Sequence, residues 1–328
     1  MNQEYRTMHG FSLIELMVGM AIGLFLIVGI FTAYSSGRQS QLVVDDQVAM
    51  LNDARFAFQV LSDDVRQAGL WGRLNDFDTA SFLAGDVAVT RLVVTVAGEC
   101  VANWADYNVP LVAFNGVTPY AATCTTRYTA GPDVVLPSDV LEVRYTLGTA
   151  IANANLRATT VYVSSDVDQA AVFIGATPPS LSPAAVDLNF RLVANAYYIA
   201  DWSNVAGDGI PSLRKVSLEP GPGGPVVLDQ LLVAGVENLQ VQYGVDTDGD
   251  GAVNAYVDPG NALAADWDAI RSVQIWLVIR SQKNEPNLDT ASTAVIAGAA
   301  TAFPDDGWRR SVLSTVISLR NSKNSSGI

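Results

Sequence analysis

The sequence predicts an α+β protein, a long N-terminal helix packed on a mainly antiparallel β-sheet head with large loop insertions. Three observations predict it. Residues 10–34 form an apolar run whose one ionised group is Glu15. Val44, Val48, Leu51, Phe58, Leu61, Val65 and Ala68 then recur at spacings of three, four and seven, as on one face of a continuing helix. Beyond Leu70 the pattern changes to short β-type runs between loops rich in Pro, Gly, Ser and Asp. A helix with one apolar stripe and a sheet with one apolar face bury each other.

The apolar run comes first. A spanning helix needs roughly 20 apolar residues, and Phe11 to Tyr34 supplies them. The run is longer than the core of a secretory signal, and no Ala-x-Ala site follows it. Glu15 is its anomaly, because a carboxylate in hydrocarbon costs about 2.5–3.5 kcal/mol on the insertion scale. One reading is a simple anchor whose Glu15 snorkels to the headgroups. The other is a segment that needs the charge for assembly. Gly19, Gly23 and Gly29 permit close helix packing or local bending. A helix from Phe11 to about Ala68 would be roughly 87 Å long, and Gly69 and Gly72 are its stop signals.

The head follows. Candidate strands are Val87 to Val96, Val140 to Thr146, Thr159 to Val163, Leu188 to Ile199, Leu213 to Leu218, Val226 to Val233, Leu239 to Tyr243, Val273 to Ile279 and Val312 to Leu319. Cys100 and Cys124 form an even pair; in an exported chain such a pair reads as one disulfide, the rival being two free buried thiols. The bridge would close a loop of about 25 residues, worth roughly 3 kcal/mol in the chain-entropy model.

Composition excludes several functions. The 328 residues carry 33 acidic and 19 basic side chains, a net charge of −14. A nucleic-acid partner would need a basic face, so none is expected. The single histidine is His9, at the extreme N-terminus. That leaves the head without a Ser-His-Asp or Cys-His centre and without a histidine-ligated zinc. Only paired carboxylates remain for catalysis, and the chain reads as a non-enzyme. Of the tryptophans, Trp71, Trp104, Trp202, Trp267, Trp276 and Trp308, most read as packing and some as a sugar-binding surface.

One loop carries a ligand pattern. Asp246, Asp248 and Asp250 lie within five residues, with Gly251 after them. Like charges this close repel, and a hard cation relieves the repulsion. The spacing copies the first half of an EF-hand loop, with acids at positions 1, 3 and 5, glycine at 6, a carbonyl from Ala252 at 7 and Asn254 at 9. Position 12 is Val257, so the bidentate ligand is missing or displaced to Asp258. Calcium is the expected ion, and a solvated Asp-Gly hairpin turn the competing reading. No cofactor is required.

The segment Gly10-Phe11-Ser12-Leu13-Ile14-Glu15 resembles the type IV prepilin signature. Further stretches resemble the PilW family of minor pilins: Leu61 to Gly69 the end of its helix, Gly235 to Asp246 a strand of its head, and Leu319-Arg320-Asn321 its C-terminal strand. The resemblance implies a type IV pilin-like fold. It divides the chain into a leader at 1–10, a pilin helix at 11–70 with 11–34 in the membrane or fibre core, and a periplasmic or extracellular head at 71–328. It also implies that prepilin peptidase cuts between Gly10 and Phe11 and that Phe11 becomes N-methylated. Glu15 would then pair with the new amine of a neighbouring subunit, since in low dielectric each charge is costly alone and tolerable together. The implied partners are the peptidase, the major pilin and other minor pilins, a tip adhesin and the inner-membrane assembly platform. The implied path runs from a single-pass inner-membrane protein to the cell-surface pilus, where adhesion and twitching are served. The alternatives are a type II secretion pseudopilin and a calcium-dependent surface- or glycan-binding module on a pilin anchor.

Overall fold

The computed structural model describes residues 12–73, 110–116, 137–166, 170–178, 188–264, 267–285 and 289–322. The candidate strand Val87 to Val96, both cysteines, Trp104, Gly10 and Phe11 lie outside the described residues. The chain divides into two compact units, Met1–Leu51 and Asn52–Ile328. The division falls inside helix α1, which runs from Leu13 to Gln67.

In the second unit, the last turns of α1 show which face is buried. Ala54, Ala57, Leu61, Val65 and Ala68 are fully buried, and Asp64 is 6% exposed. Val44 and Val48 of the expected stripe are half exposed, and Leu51 is 40% exposed. Three of these five fully buried residues are alanines. The helix stops where the glycines allow it. Gly69 and Gly72 take φ of +78° and +70°, a region L side chains rarely adopt.

Every strand pairing among the described residues is antiparallel. The larger sheet has the order β1-β2-β5-β3-β4, with β6 on β5 and β7 on β6. Its strands are β1 (Leu111–Phe114), β2 (Val140–Thr146), β3 (Val161–Ser165), β4 (Ala170–Ile174), β5 (Asn189–Ala200), β6 (Ser212–Pro220) and β7 (Pro225–Ala234). A four-stranded sheet has the order β13-β10-β8-β9, from β8 (Val236–Val245), β9 (Ala255–Val257), β10 (Ile270–Arg280) and β13 (Arg310–Ser318). The hairpin β11 (Ser292–Ile296) and β12 (Ala299–Phe303) stands apart from both.

The cores follow from pleat alternation. On β10, Val273, Ile275, Leu277 and Ile279 are buried on one face, and Leu239 and Val241 of β8 pair beside two of them. In the larger sheet, Trp71 joins Val163, Leu192, Tyr198, Trp202 and Val216 in one apolar cluster. Buried Asp139 ties the sheets together. It accepts backbone N–H bonds from Gly116 at 2.8 Å and from Val241 at 2.8 Å. Burial pushes its pKa up to about 6 despite those bonds.

Candidate functional site

Glu15 lies in the first turn of α1 and is exposed, where the helix dipole favours a negative charge. The large apolar side chains from Leu13 to Tyr34 are all more than half exposed, Phe25 at 82%. Glu15, Gly19 and Gly23 follow one another at spacings of four, so they share a face. A Cβ added at Gly19 or Gly23 would meet nothing within 4 Å. This face pairs one carboxylate with two points of close backbone approach. It suits another helix in low dielectric rather than water.

A second constellation joins the end of α1 to the head. Asp64 accepts hydrogen bonds from Tyr145 Oη at 2.8 Å, Asn195 Nδ2 at 2.5 Å and Tyr197 Oη. Lys215 Nζ stands 3.5 Å away. Burial first, and the Asp64 charge second, raise the pKa values of both phenols, so they remain donors. One turn on, Asn321 Nδ2 donates to the Gln67 carbonyl at 3.3 Å and the Ala68 carbonyl at 3.0 Å. These carbonyls belong to the last turn, which has no partners of its own within the helix. Gly69 N–H donates to Arg144 O at 3.1 Å. Gly235, with φ of +84°, donates to Pro211 O and accepts from Arg280 N–H. Glu237 pairs with Arg310 at 2.6 Å and Arg280 at 3.6 Å. The three stretches quoted for the head and helix end thus supply buried and half-buried links of the fold. Leu319, Arg320 and Asn321 fall just past β13 rather than in it.

Asp64 is the residue that sequence reasoning passed over. The signal was present, because Asp64 falls three residues after Leu61 and beside Val65. A carboxylate on the apolar stripe of a helix needs partners, as Glu15 does.

The acidic loop joins β8 to β9. Asp246, Asp248 and Asp250 bring carboxylate oxygens within 4.8 Å of one another. Asp246 accepts from Gly249 N–H at 2.7 Å and Gly251 N–H at 2.9 Å. Its other partner is Arg271, whose Nη2 lies 3.1 Å from Oδ2. Burial works to raise the Asp246 pKa, but the two N–H bonds and the guanidinium overcome it and hold the carboxyl below its usual range. Asn254 joins the group through Nδ2, 3.3 Å from Asp248. Ala252 N–H donates to Asp250 at 2.7 Å. Asp258 is turned elsewhere and accepts from Gln242 Nε2 at 2.7 Å. The structure therefore gathers positions 1, 3, 5 and 9 and supplies no bidentate carboxylate from position 12. A guanidinium already relieves part of the repulsion.

The tryptophans are mostly packing. Trp71 and Trp202 are buried. Arg214 lies 3.8 Å over the Trp202 ring and Arg280 4.1 Å over the Trp308 ring.

The described residues thus form a long N-terminal apolar helix with one early carboxylate, followed by antiparallel sheets. Residues 5–31 match the prokaryotic N-terminal methylation motif, and residues 196–321 match the family described as Type IV Pilus-assembly protein W. The second match begins in β5 and ends on Asn321, the cap of the helix. Among solved structures the chain is similar to a type IV-like pilin, TTHA1219 from Thermus thermophilus, at 13% identity and a TM-score of 0.26, over 51% of this chain and 87% of that one. Comparison with curated proteins finds no match. The family is a structural, non-enzymatic one, associated with other pilus components. The methylation motif and the apolar helix suit a membrane-anchored pilin.

Proposed function

We propose that this chain is a minor pilin of the PilW type, which helps prime assembly of the type IV pilus and enters the fibre at or near its tip. The observation that carries the reading is Glu15, a lone carboxylate on an exposed apolar helix face beside Gly19 and Gly23. In the inner membrane the head faces the periplasm, and prepilin peptidase frees the amine of Phe11. Glu15 then accepts the amine of a neighbouring subunit, and the assembly platform lifts the packed helices into the fibre. Other minor pilins, the major pilin and a tip adhesin are its partners, and adhesion and twitching are the outputs. Glu15→Ala is expected to keep membrane insertion and cleavage while lowering fibre recovery at least tenfold, which immunoblots of sheared fibres and membranes read separately. Normal fibre recovery and normal piliation would remove the role given to Glu15. A secretion defect with intact twitching in the deletion strain would move the chain to a type II secretion pseudopilin.

The acidic loop has a supporting role in the same reading. Three convergent carboxylates at EF-hand spacing favour a weak calcium site at extracellular, millimolar concentrations. Asp246, Asp248, Asp250, Asn254 and the Ala252 carbonyl would hold the ion, bracing the turn. Calorimetry decides it: heat on millimolar calcium that Asp248→Ala abolishes supports the site, and no heat removes it.

A further inference from the structure

A cleft of ≈ 390 Å³ opens beside the acidic loop, on the four-stranded sheet. Its floor is one row of that sheet. Register sets Tyr256 of β9 opposite Gly244 of β8, Gly244 opposite Ser272 of β10, and Ser272 opposite Ser318 of β13. A Cβ on Gly244 would lie 2.2 Å from Ser272 Oγ and 3.0 Å from Tyr256 Cε1. The missing side chain is therefore what lets the phenol ring lie across the strand, 40% exposed. Past β13 the chain turns so that Arg320 and Ser322 line the cleft, with Arg271 also in its lining. Arg271 is committed, to Asp246 and to the Asp268 carbonyl at 2.8 Å. Arg320 is exposed and has no hydrogen-bond or ion-pair partner among the described residues.

Charge decides the class of ligand. Two guanidiniums, Arg271 and Arg320, stand against the three carboxylates of the adjoining loop, whose Gly251 and Val253 also line the cleft. That balance gives an anion no net attraction, and the guanidiniums oppose a cation within the cleft itself. An uncharged, polyhydroxylated ring fits what remains. An exposed aromatic face covers its apolar C–H side. Serine hydroxyls and unspent guanidinium N–H groups meet its hydroxyls. The volume lies within the range of small-ligand pockets, about 300–1,000 Å³.

We propose that this cleft binds a neutral hexose unit, with Tyr256 under the ring and Arg320 donating to its hydroxyls. The site does not depend on the pilus-assembly reading, and it needs no calcium, because neither anchor is a residue of the acidic loop. Saturation-transfer NMR on the full-length chain tests it, in a detergent without a sugar headgroup. The probes are the methyl pyranosides of glucose, galactose and mannose, with glucuronate as the charged comparison. Saturable transfer to ring protons of at least one neutral pyranoside is expected, stronger than to glucuronate and unchanged by EDTA. Arg320→Ala removes an exposed side chain and should keep the wild-type melting temperature, whereas Tyr256→Ala also removes a ring packed over Gly244 and should lower it while leaving the chain folded. Each should weaken binding about tenfold or more. No transfer to any of the three pyranosides, equal transfer in both variants, loss in EDTA, or a preference for glucuronate would each overturn the proposal.

Discussion

Replacing Asp64 with alanine tests how the helix is held on the head. The carboxylate is 6% exposed and accepts from Tyr145, Asn195 and Tyr197. Removing it strands three buried donors at once. Each unsatisfied donor costs about 1–3 kcal/mol. The side chain of Lys215, 24% exposed, can turn to water and adds little. Water entering the vacated space can serve one donor, so the sum is not reached. Breaking a buried charged cluster from one side typically costs about 3–5 kcal/mol, and that is the expected loss. It is a large share of a stability of about 5–15 kcal/mol. Asp64→Asn keeps one oxygen but turns an amide N–H₂ toward donors, and should fall between, at about 1–3 kcal/mol. Urea unfolding of full-length protein in detergent, followed by tryptophan fluorescence, reads both changes, since Trp71 is buried in the head. A loss for Asp64→Ala below about 0.5 kcal/mol, the size of an ordinary surface change, would refute the argument.

Other residues give sharper local tests. Asp139 is held up to about 6 by burial, so the folded state takes up its proton before the unfolded state does. Its contribution is fully present below pH 3.8, the ordinary value of an aspartate, and is lost as pH rises through about 6. Asp139→Asn should flatten that part of the stability–pH curve, and an unchanged slope between pH 4 and 6 counts against the assignment. Gly72→Ala would set a Cβ 2.4 Å from both Phe190 Cδ2 and Ser165 Oγ at a φ of +70°. Strain and overpacking together should cost about 2–5 kcal/mol, visible as a lower melting temperature. Asn321→Ala uncaps the last turn of α1 and should cost about 1 kcal/mol, with faster hydrogen exchange confined to the residues around Gly69.

Much of this was legible in the sequence, for identifiable reasons. The helix ends one residue before the expected stop, because Gly69 and Gly72 take the left-handed backbone their type allows. Val140 to Thr146 is a strand over the expected residues, and Leu188 to Ile199 is displaced by a single residue. Runs of Val, Ile, Leu and Tyr bounded by turn residues carry that information. The strands not foreseen are short or alanine-rich. Ala170–Ile174 opens on two alanines, Ala299–Phe303 contains three, and Ala255–Val257 has only three residues. Each pairs with the strand just before it, β4 with β3, β12 with β11 and β9 with β8, so the neighbouring strand rather than a strong pattern of their own makes them strands. The apolar stripe was legible in its last turns, where Leu61, Val65 and Ala68 are buried as expected; Val44 and Val48 are exposed, and Ala54 and Ala57, which look neutral, are buried. The acidic loop was legible as a cluster. Its pairing with Arg271, 25 residues on, was not, because strand register alone brings that guanidinium back. Glu15 was legible because a single charge in an apolar run has no packing explanation.

Mass spectrometry of the N-terminus tests the central claim most directly, on sheared surface fibres and on membranes of the same cells. The account predicts a chain that begins at a methylated Phe11 and is present in the fibre fraction. An intact Met1 terminus confined to the membranes would contradict it and leave a single-pass anchored protein in place of a fibre subunit.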